Sequence, residues 1–119
     1  MTEINQDKRY KYIFDEILTL TDDGFVVVDN HDVITDINEQ YCQYLKTTRE
    51  YAIGRSIAEI IPNTKMIDIV NYAYREKGAI LRLSEKSDDD SDRIFLVNRS
   101  AVYDENHNVI AGVAQVKFR

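Results

Sequence analysis

Residues 24–37 read GFVVVDNHDVITDI, and the prediction of the fold starts from this stretch. The two runs at 24–29 and 33–37 are rich in β-branched residues, which is typical of strands. Between them, Asp29-Asn30-His31-Asp32 supplies residue types that favour a tight turn. The stretch therefore predicts a β-hairpin that forms the first two strands of a sheet.

Three more extended segments are predicted in the last third of the chain, at Ala79–Ser84, Arg93–Tyr103 and Val109–Phe118. In the last of these segments, apolar side chains occupy both sets of alternating positions. A sheet that is apolar on both faces is covered on both. We expect helices on one face, and either the N-terminal helix or a partner subunit on the other.

The middle third of the chain has the pattern of helices. Residues 38–45 place apolar side chains on one helical face, with Asp36 or Asn38 as the N-cap. Two short helices follow, one before Gly54 and one before Pro62. A longer helix is predicted from Thr64 to Lys77, ended by Gly78.

The N-terminal segment, residues 1–22, is predicted to be an amphipathic helix, and residues 23–119 to be the folded domain. Apolar residues recur at spacings of three and four in this helix, at Tyr10, Ile13, Phe14, Ile17 and Leu18. Such a stripe must cover either the domain's own sheet or the same helix of a second copy. The sequence leaves both alternatives open.

Composition excludes several classes of function. The chain has 119 residues, the size of one domain, and a formal net charge of −6 with no block of lysine and arginine, which argues against nucleic-acid binding. Its single cysteine excludes an intrachain disulfide and fits a reducing compartment. Its longest apolar run, residues 25–28, is far too short to span a bilayer. We therefore expect a cytoplasmic protein that does not contact membranes.

Three motifs together resemble the PAS sensor family: the hairpin at 24–38, YAIGRS at 51–56 and AVYDENHNVIAGV at 101–113. The resemblance implies an α+β domain with a five-stranded antiparallel sheet. It also implies that the helices of the middle third lie on one face of the sheet and enclose a small cavity, and that the domain forms a homodimer through its N-terminal helix.

The segment IIPNT at 60–64 more narrowly resembles PAS modules that precede the ATPase domain of bacterial enhancer-binding transcription activators. This resemblance implies the N-terminal regulatory module of a bacterial transcriptional regulator, which binds a small-molecule metabolite or dimerises to control a downstream output domain in cis. Two alternatives stay open: a ligand-free interaction or dimerisation module, and the sensor domain of a histidine kinase.

The residues argue against several cofactors and against catalysis. Heme is disfavoured because His31 and His107, the two histidines, both fall in predicted polar turns. A covalent flavin is disfavoured because Cys42 lies on an earlier helix than the reactive cysteine of photoactive relatives, and it reads as a buried filler. The acidic run Asp88–Asp92 lacks the spacing of a calcium loop and reads as a solvated hairpin tip, so no metal site is predicted. No catalytic constellation is present, and we expect no enzymatic activity.

A pocket between the sheet and the helix that contains Met66 is the remaining candidate site, and filling by the protein's own side chains is the alternative to a ligand. On the long strand, Asn98 and Arg99 point to opposite faces. An inward Arg99 implies an anionic ligand, because a buried guanidinium needs a carboxylate or phosphate, whereas an inward Asn98 needs only a neutral polar group. The third reading is that the residue simply reaches solvent at the sheet edge. The candidate ligand-binding residues are Tyr41, Leu45, Ile57, Met66, Val70, Phe95, Asn98, Arg99, Gly112 and Ala114.

Overall fold

The computed structural model describes residues 5–61, 64–73, 75–83 and 93–118. Within these residues the chain forms five helices and five strands. Their order is α1 (Gln6–Leu20), β1 (Gly24–Asp29), β2 (Ile34–Ile37), α2 (Glu39–Leu45), α3 (Arg49–Ala52), α4 (Ile57–Ile60), α5 (Met66–Tyr72), β3 (Arg75–Leu83), β4 (Arg93–Tyr103) and β5 (Val109–Lys117). The predicted α+β class is confirmed.

The strands form one antiparallel sheet in the order β2-β1-β5-β4-β3. The predicted hairpin of β1 and β2 is present, and β5 returns to the centre of the sheet to pair with β1, with Val26 opposite Ala114. Alternation decides which side chains face inward: Val26 and Val28 are buried, whereas Val27 between them is only half-buried.

The helices of the middle third pack on the inner face, as predicted. Gly112 on β5 permits a close approach, because a Cβ atom built there would lie 2.8 Å from Cγ2 of Val70 and 3.2 Å from Sδ of Met66. The small residue therefore lets α5 lie directly against the sheet, and the volume that it leaves is filled by these two side chains.

The predicted helix from Thr64 to Lys77 is wrong at its C-terminal end. Helix α5 ends at Tyr72, and Ala73 follows in the left-handed region with φ 55°. The residues from Arg75 onwards pair with β4 instead, because the sheet supplies partners for their backbone groups. Gly78, predicted to end the helix, lies in strand β3 with φ 69° at a β-bulge between Glu76 and Ala79.

Among the described residues, the contacts of helix α1 with the rest of the domain lie on one side of the helix. Leu18 is buried, and Lys11 Nζ lies 2.6 Å from Oδ1 of Asp36 on β2. Asp36 therefore pairs with α1, and Asn38 is the N-cap of α2. On the outer face of the sheet Leu96 remains 48% exposed, so α1 does not cover that part of the sheet. The domain boundary at residue 22 stays a prediction.

Candidate functional site

A small internal cavity lies between the inner face of the sheet and the helices. Its volume is about 10 Å³, which is room for about one water molecule. The residues that line it are Val26, Tyr41, Ile57, Ile61, Thr64, Met66, Val97, Arg99 and Ala114. Between these residues, the space is thus filled almost completely by the protein's own side chains.

Arg99 is the charged residue of this cavity and is 5% exposed. Its guanidinium forms an ion pair with the carboxylate of Glu76, which lies opposite it on β3. The carboxylate that a buried guanidinium requires is therefore supplied from within the chain. Tyr41 lies close by: burial raises the pKa of its phenol, and the charge of Arg99 lowers that pKa by a smaller amount.

The structure brings together five of the predicted ligand-binding residues at the cavity: Tyr41, Ile57, Met66, Arg99 and Ala114. Four others belong to the surrounding core without lining the cavity, namely Leu45, Val70, Phe95 and Gly112. Asn98 lies on the opposite face of the sheet, so Arg99 is the inward residue of the pair. Four lining residues were missed: Val26, Ile61, Thr64 and Val97. Alternation along β4 puts Val97 on the same face as Arg99, and the pairing of β1 with β5 puts Val26 opposite Ala114, so both could be identified once the inner face and the register were known.

Phe95 has a packing role in an aromatic cluster at one end of the inner face. Tyr44 and Phe118 stack with ring centroids 3.8 Å apart, and Phe95 meets both rings edge to face at 5.3 and 5.4 Å. Gly24 accommodates this cluster, because a Cβ atom there would lie 2.7 Å from the Phe118 ring. The cluster closes that end of the interior with apolar contacts.

Asn38 joins α1, β1 and α2. Its Oδ1 accepts hydrogen bonds from the backbone N–H groups of Phe25 at 2.9 Å and Tyr41 at 3.2 Å. Its Nδ2 donates to the carbonyl oxygens of Leu18 at 3.2 Å and Asp23 at 2.9 Å. The side chain is 4% exposed, so one amide fixes the base of α1 against the domain from a buried position.

A second group of amides lies on the outer face of the sheet. Asn98 Oδ1 accepts from the backbone N–H of Gly78 at 2.9 Å, and its Nδ2 donates to Oε1 of Gln115 at 3.1 Å. Gln115 Nε2 in turn donates to Oδ2 of Asp23 at 2.8 Å. These bonds connect the bulge of β3 with the segment between α1 and β1.

A groove of about 420 Å³ lies between α1 and the first turns of α2 and α3. Its walls include Asp15 and Thr19 from α1 and Gln40, Gln43 and Arg49 from the other side. Arg49 Nε donates to the carbonyl oxygen of Ile37 at 2.8 Å, which fixes the direction of its guanidinium. Sequence patterns gave no signal for this groove, because its walls come from separate segments.

The remaining candidates lie as follows. Cys42 is buried, as predicted, and burial together with the neighbouring charge of Glu39 raises the pKa of its thiol to about 11. His31 and His107 are exposed in turns. In the part of the chain that the structure describes, no group of three metal-ligating side chains forms, and no helix is long and apolar enough to cross a membrane. The acidic run Asp88–Asp92 lies outside the described residues.

Comparison with known proteins gives the family. The family model described as PAS domain matches residues 22–117, and the chain belongs to this family of sensory domains. A comparison with curated protein sequences finds no match.

Several solved structures share the fold. A chain of the E. coli DhaR(N)–DhaL complex superposes with a TM-score of 0.75 at 14% identity, over 94% of this chain and 36% of that one. The present chain thus spans about a third of that protein. The PAS domain of a protein from Colwellia psychrerythraea has a TM-score of 0.67 at 18% identity, over 97% and 98% of the two chains. A sensory box sensor histidine kinase from Vibrio cholerae has a TM-score of 0.56 at 16% identity, over 94% and 93%.

Proposed function

We propose that this PAS domain is the sensory module of a larger bacterial transcriptional regulator, and that it acts as a homodimer whose contact is made by α1. The observation that carries the proposal is the second face of α1. Tyr10, Ile13, Ile17 and Leu20 are 65%, 40%, 56% and 78% exposed. Their spacing of three, four and three residues is that of a coiled-coil seam.

This seam is distinct from the side of α1 that contacts its own domain. Residues Lys11, Asp15 and Leu18 lie on the domain side, where Lys11 pairs with Asp36. Successive residues of a helix are about 100° apart, which places the seam roughly 150° around α1 from that side. A second copy of α1 can therefore bind the seam while the first stays attached to its domain.

The ligand that we propose for the interior is a small carboxylate that replaces Glu76 as the partner of Arg99. Glu76 lies on an edge strand, and its side chain is 29% exposed, so it can turn outward without burying a charge. The ligand can shift the domain only by its difference in affinity for the closed and opened interiors. The resemblance at residues 60–64 supports an activator as the larger protein. The sequence that follows residue 119 would distinguish it from a histidine kinase.

The dimer is tested by light scattering with matched variants. Ile17→Glu places a charge in the seam, whereas Ile110→Glu places the same charge at a site of similar exposure, 49% against 56%, on strand β5. We expect dimers for the parent and Ile110→Glu and a monomer for Ile17→Glu. A monomeric parent chain, or a dimeric Ile17→Glu variant, would contradict the proposed contact.

A ligand-free dimerisation module is the second candidate, and the cavity of about 10 Å³ and the Arg99–Glu76 pair favour it. The two candidates differ in thermal stability with short-chain carboxylates such as acetate, propionate and pyruvate. A ligand at 100 times its Kd contributes about 2.7 kcal/mol, enough to raise Tm by several degrees. A rise that disappears in Arg99→Met supports the sensor, whereas no rise with any of the three supports the ligand-free module.

A further inference from the structure

The hydrogen bonds of the outer-face amides start at Gly78, two residues from the glutamate that pairs with Arg99 in the cavity. Glu76, the partner of Arg99, is the last residue of β3 before the bulge, and Gly78 is within that bulge. The backbone N–H of Gly78 is held by Asn98, which neighbours Arg99 on β4 but points to the other face. If Glu76 moves away from Arg99, the bulge moves with it, and the hydrogen bond between the Gly78 N–H and Asn98 is expected to change.

The other end of the same amides lies at the base of α1. Asp23 accepts from Gln115 through its side chain, and its carbonyl oxygen accepts from Asn38. Its backbone N–H donates to Oγ1 of Thr21 at 3.0 Å, directly after the helix. The carboxylate of Asp23 is thus a fixed point between α1 and β1.

We propose that Asn98 and Gln115 couple the Arg99–Glu76 pair to α1, so that a change of partner at Arg99 alters the attachment of α1 to the domain. This inference rests on the proposed sensory function, and it specifies the contacts through which a change at Arg99 reaches α1. The two side-chain amides are oriented in the same direction: each accepts a hydrogen bond through its oxygen on the side of β3 and donates one through its nitrogen on the side of α1. Both amides are partly exposed. If one of these hydrogen bonds breaks, the groups that formed it can therefore bond water instead.

The alternative route is the backbone ladder of the sheet. Strand β4 pairs with β5 and β5 with β1, so a displacement of β3 could also travel through those bonds. The ladder joins every residue of the strands, whereas the amides join three specified positions. Removal of one amide therefore separates the two routes.

The test uses the whole 119-residue chain without any ligand. Glu76→Ala removes the carboxylate and every other acceptor of this side chain, so that Arg99 loses this partner. Amide hydrogen exchange, followed residue by residue by NMR, then reports on Gly78 at one end and on Asp23 and Phe25 at the other. We expect exchange at all three amides to become faster by about threefold or more, as for weakening of one hydrogen bond.

The same trigger is then repeated in two further backgrounds. Gln115→Leu removes the middle of the chain of amides. Ser100→Ala removes a hydroxyl from the same outer face of β4. This hydroxyl donates to the carbonyl oxygen of Ala101 and accepts from Arg75 Nε at 3.4 Å on β3, whereas Gln115 bonds Asn98 and Asp23. We expect the response at Asp23 and Phe25 to disappear with Gln115→Leu and to persist with Ser100→Ala, while Gly78 responds in both.

If Gln115→Leu fails to fold, Gln115→Glu serves in its place, because it keeps the shape and the acceptor for Asn98 but loses the donor to Asp23. A response at Asp23 that survives either substitution, or that is absent already in the parent background, overturns the coupling. If the chain is monomeric and no carboxylate stabilises it, the proposed function is refuted. The coupling still holds in that case, provided that the exchange response at Asp23 and Phe25 is present and depends on Gln115.

Discussion

Replacement of Asn38 by alanine should strongly destabilise the domain, because this buried side chain makes four hydrogen bonds. The side chain supplies the N-cap bond of α2 and three further hydrogen bonds, two of them to the carbonyl oxygens of Leu18 and Asp23. A cap contributes about 1 kcal/mol, and each other bond about 1 kcal/mol net, with more where a buried carbonyl is left without a donor. The expected loss is roughly 3–5 kcal/mol, against about 5–15 kcal/mol for a whole domain.

The measurement is urea unfolding followed by far-ultraviolet circular dichroism, since the chain has no tryptophan. Asn5→Ala is the matched control: Asn5 is also an N-cap, but it is exposed and its side chain accepts only from Asp7 N–H. We expect Asn5→Ala to cost less than about 1 kcal/mol. All proteins are compared at one concentration, because dimerisation adds to apparent stability. A cost for Asn38→Ala no larger than that for Asn5→Ala would refute the reasoning.

Three further predictions follow from contacts and pKa values. Gly112→Ala should cost about 1–3 kcal/mol in urea unfolding, because its Cβ would lie 2.8 Å from Val70 Cγ2, and unchanged stability would contradict this close packing. The backbone N–H of Asn108 is the main cause that holds the pKa of Asp104 below its ordinary value of 3.8. The contribution of Asp104 to the stability of the β4–β5 turn should therefore be fully present above pH 3.8 and be lost as the pH falls through the lower pKa of the folded state. An NMR titration of Asp104 measures this pKa, and a midpoint at or above 3.8 would contradict the prediction. Cys42, with its thiol pKa raised to about 11, should react with a thiol reagent at pH 7–8 far more slowly in the folded protein than in urea, and equal rates would show that it is accessible.

Much of the fold could be predicted because local signals agreed with tertiary packing. The hairpin at 24–37 has strand composition and turn residues in the right order, and both strands are present. The helix after Pro62 shows the limit of such signals. Residues 75–77 fit a helical pattern, yet they pair with β4, since edge pairing satisfies their backbone groups and Ala73 can adopt the left-handed conformation that ends α5.

The candidate site was predictable only in part for a related reason. Alternation along β4 shows that Asn98 and Arg99 point to opposite faces, but it does not say which face the helices cover. Once the helices are placed, Arg99 is inside and Asn98 outside, and the register with β3 puts Glu76 beside the guanidinium. The bond from Asn98 to the bulge at Gly78 depends on a one-residue irregularity that no sequence pattern announced.

The α+β class, the amphipathic N-terminal helix and the exclusion of an intrachain disulfide follow from composition and short-range periodicity. The family follows from the resemblance of short motifs to those of PAS domains. Only the folded chain shows that Arg99 already has a carboxylate partner, that the cavity beside it is nearly filled, and that Asn38 and Gln115 bond residues at the base of α1. Those contacts join residues that are distant in the chain, and their existence depends on strand register, bulges and the angle at which each helix packs, which local patterns do not encode.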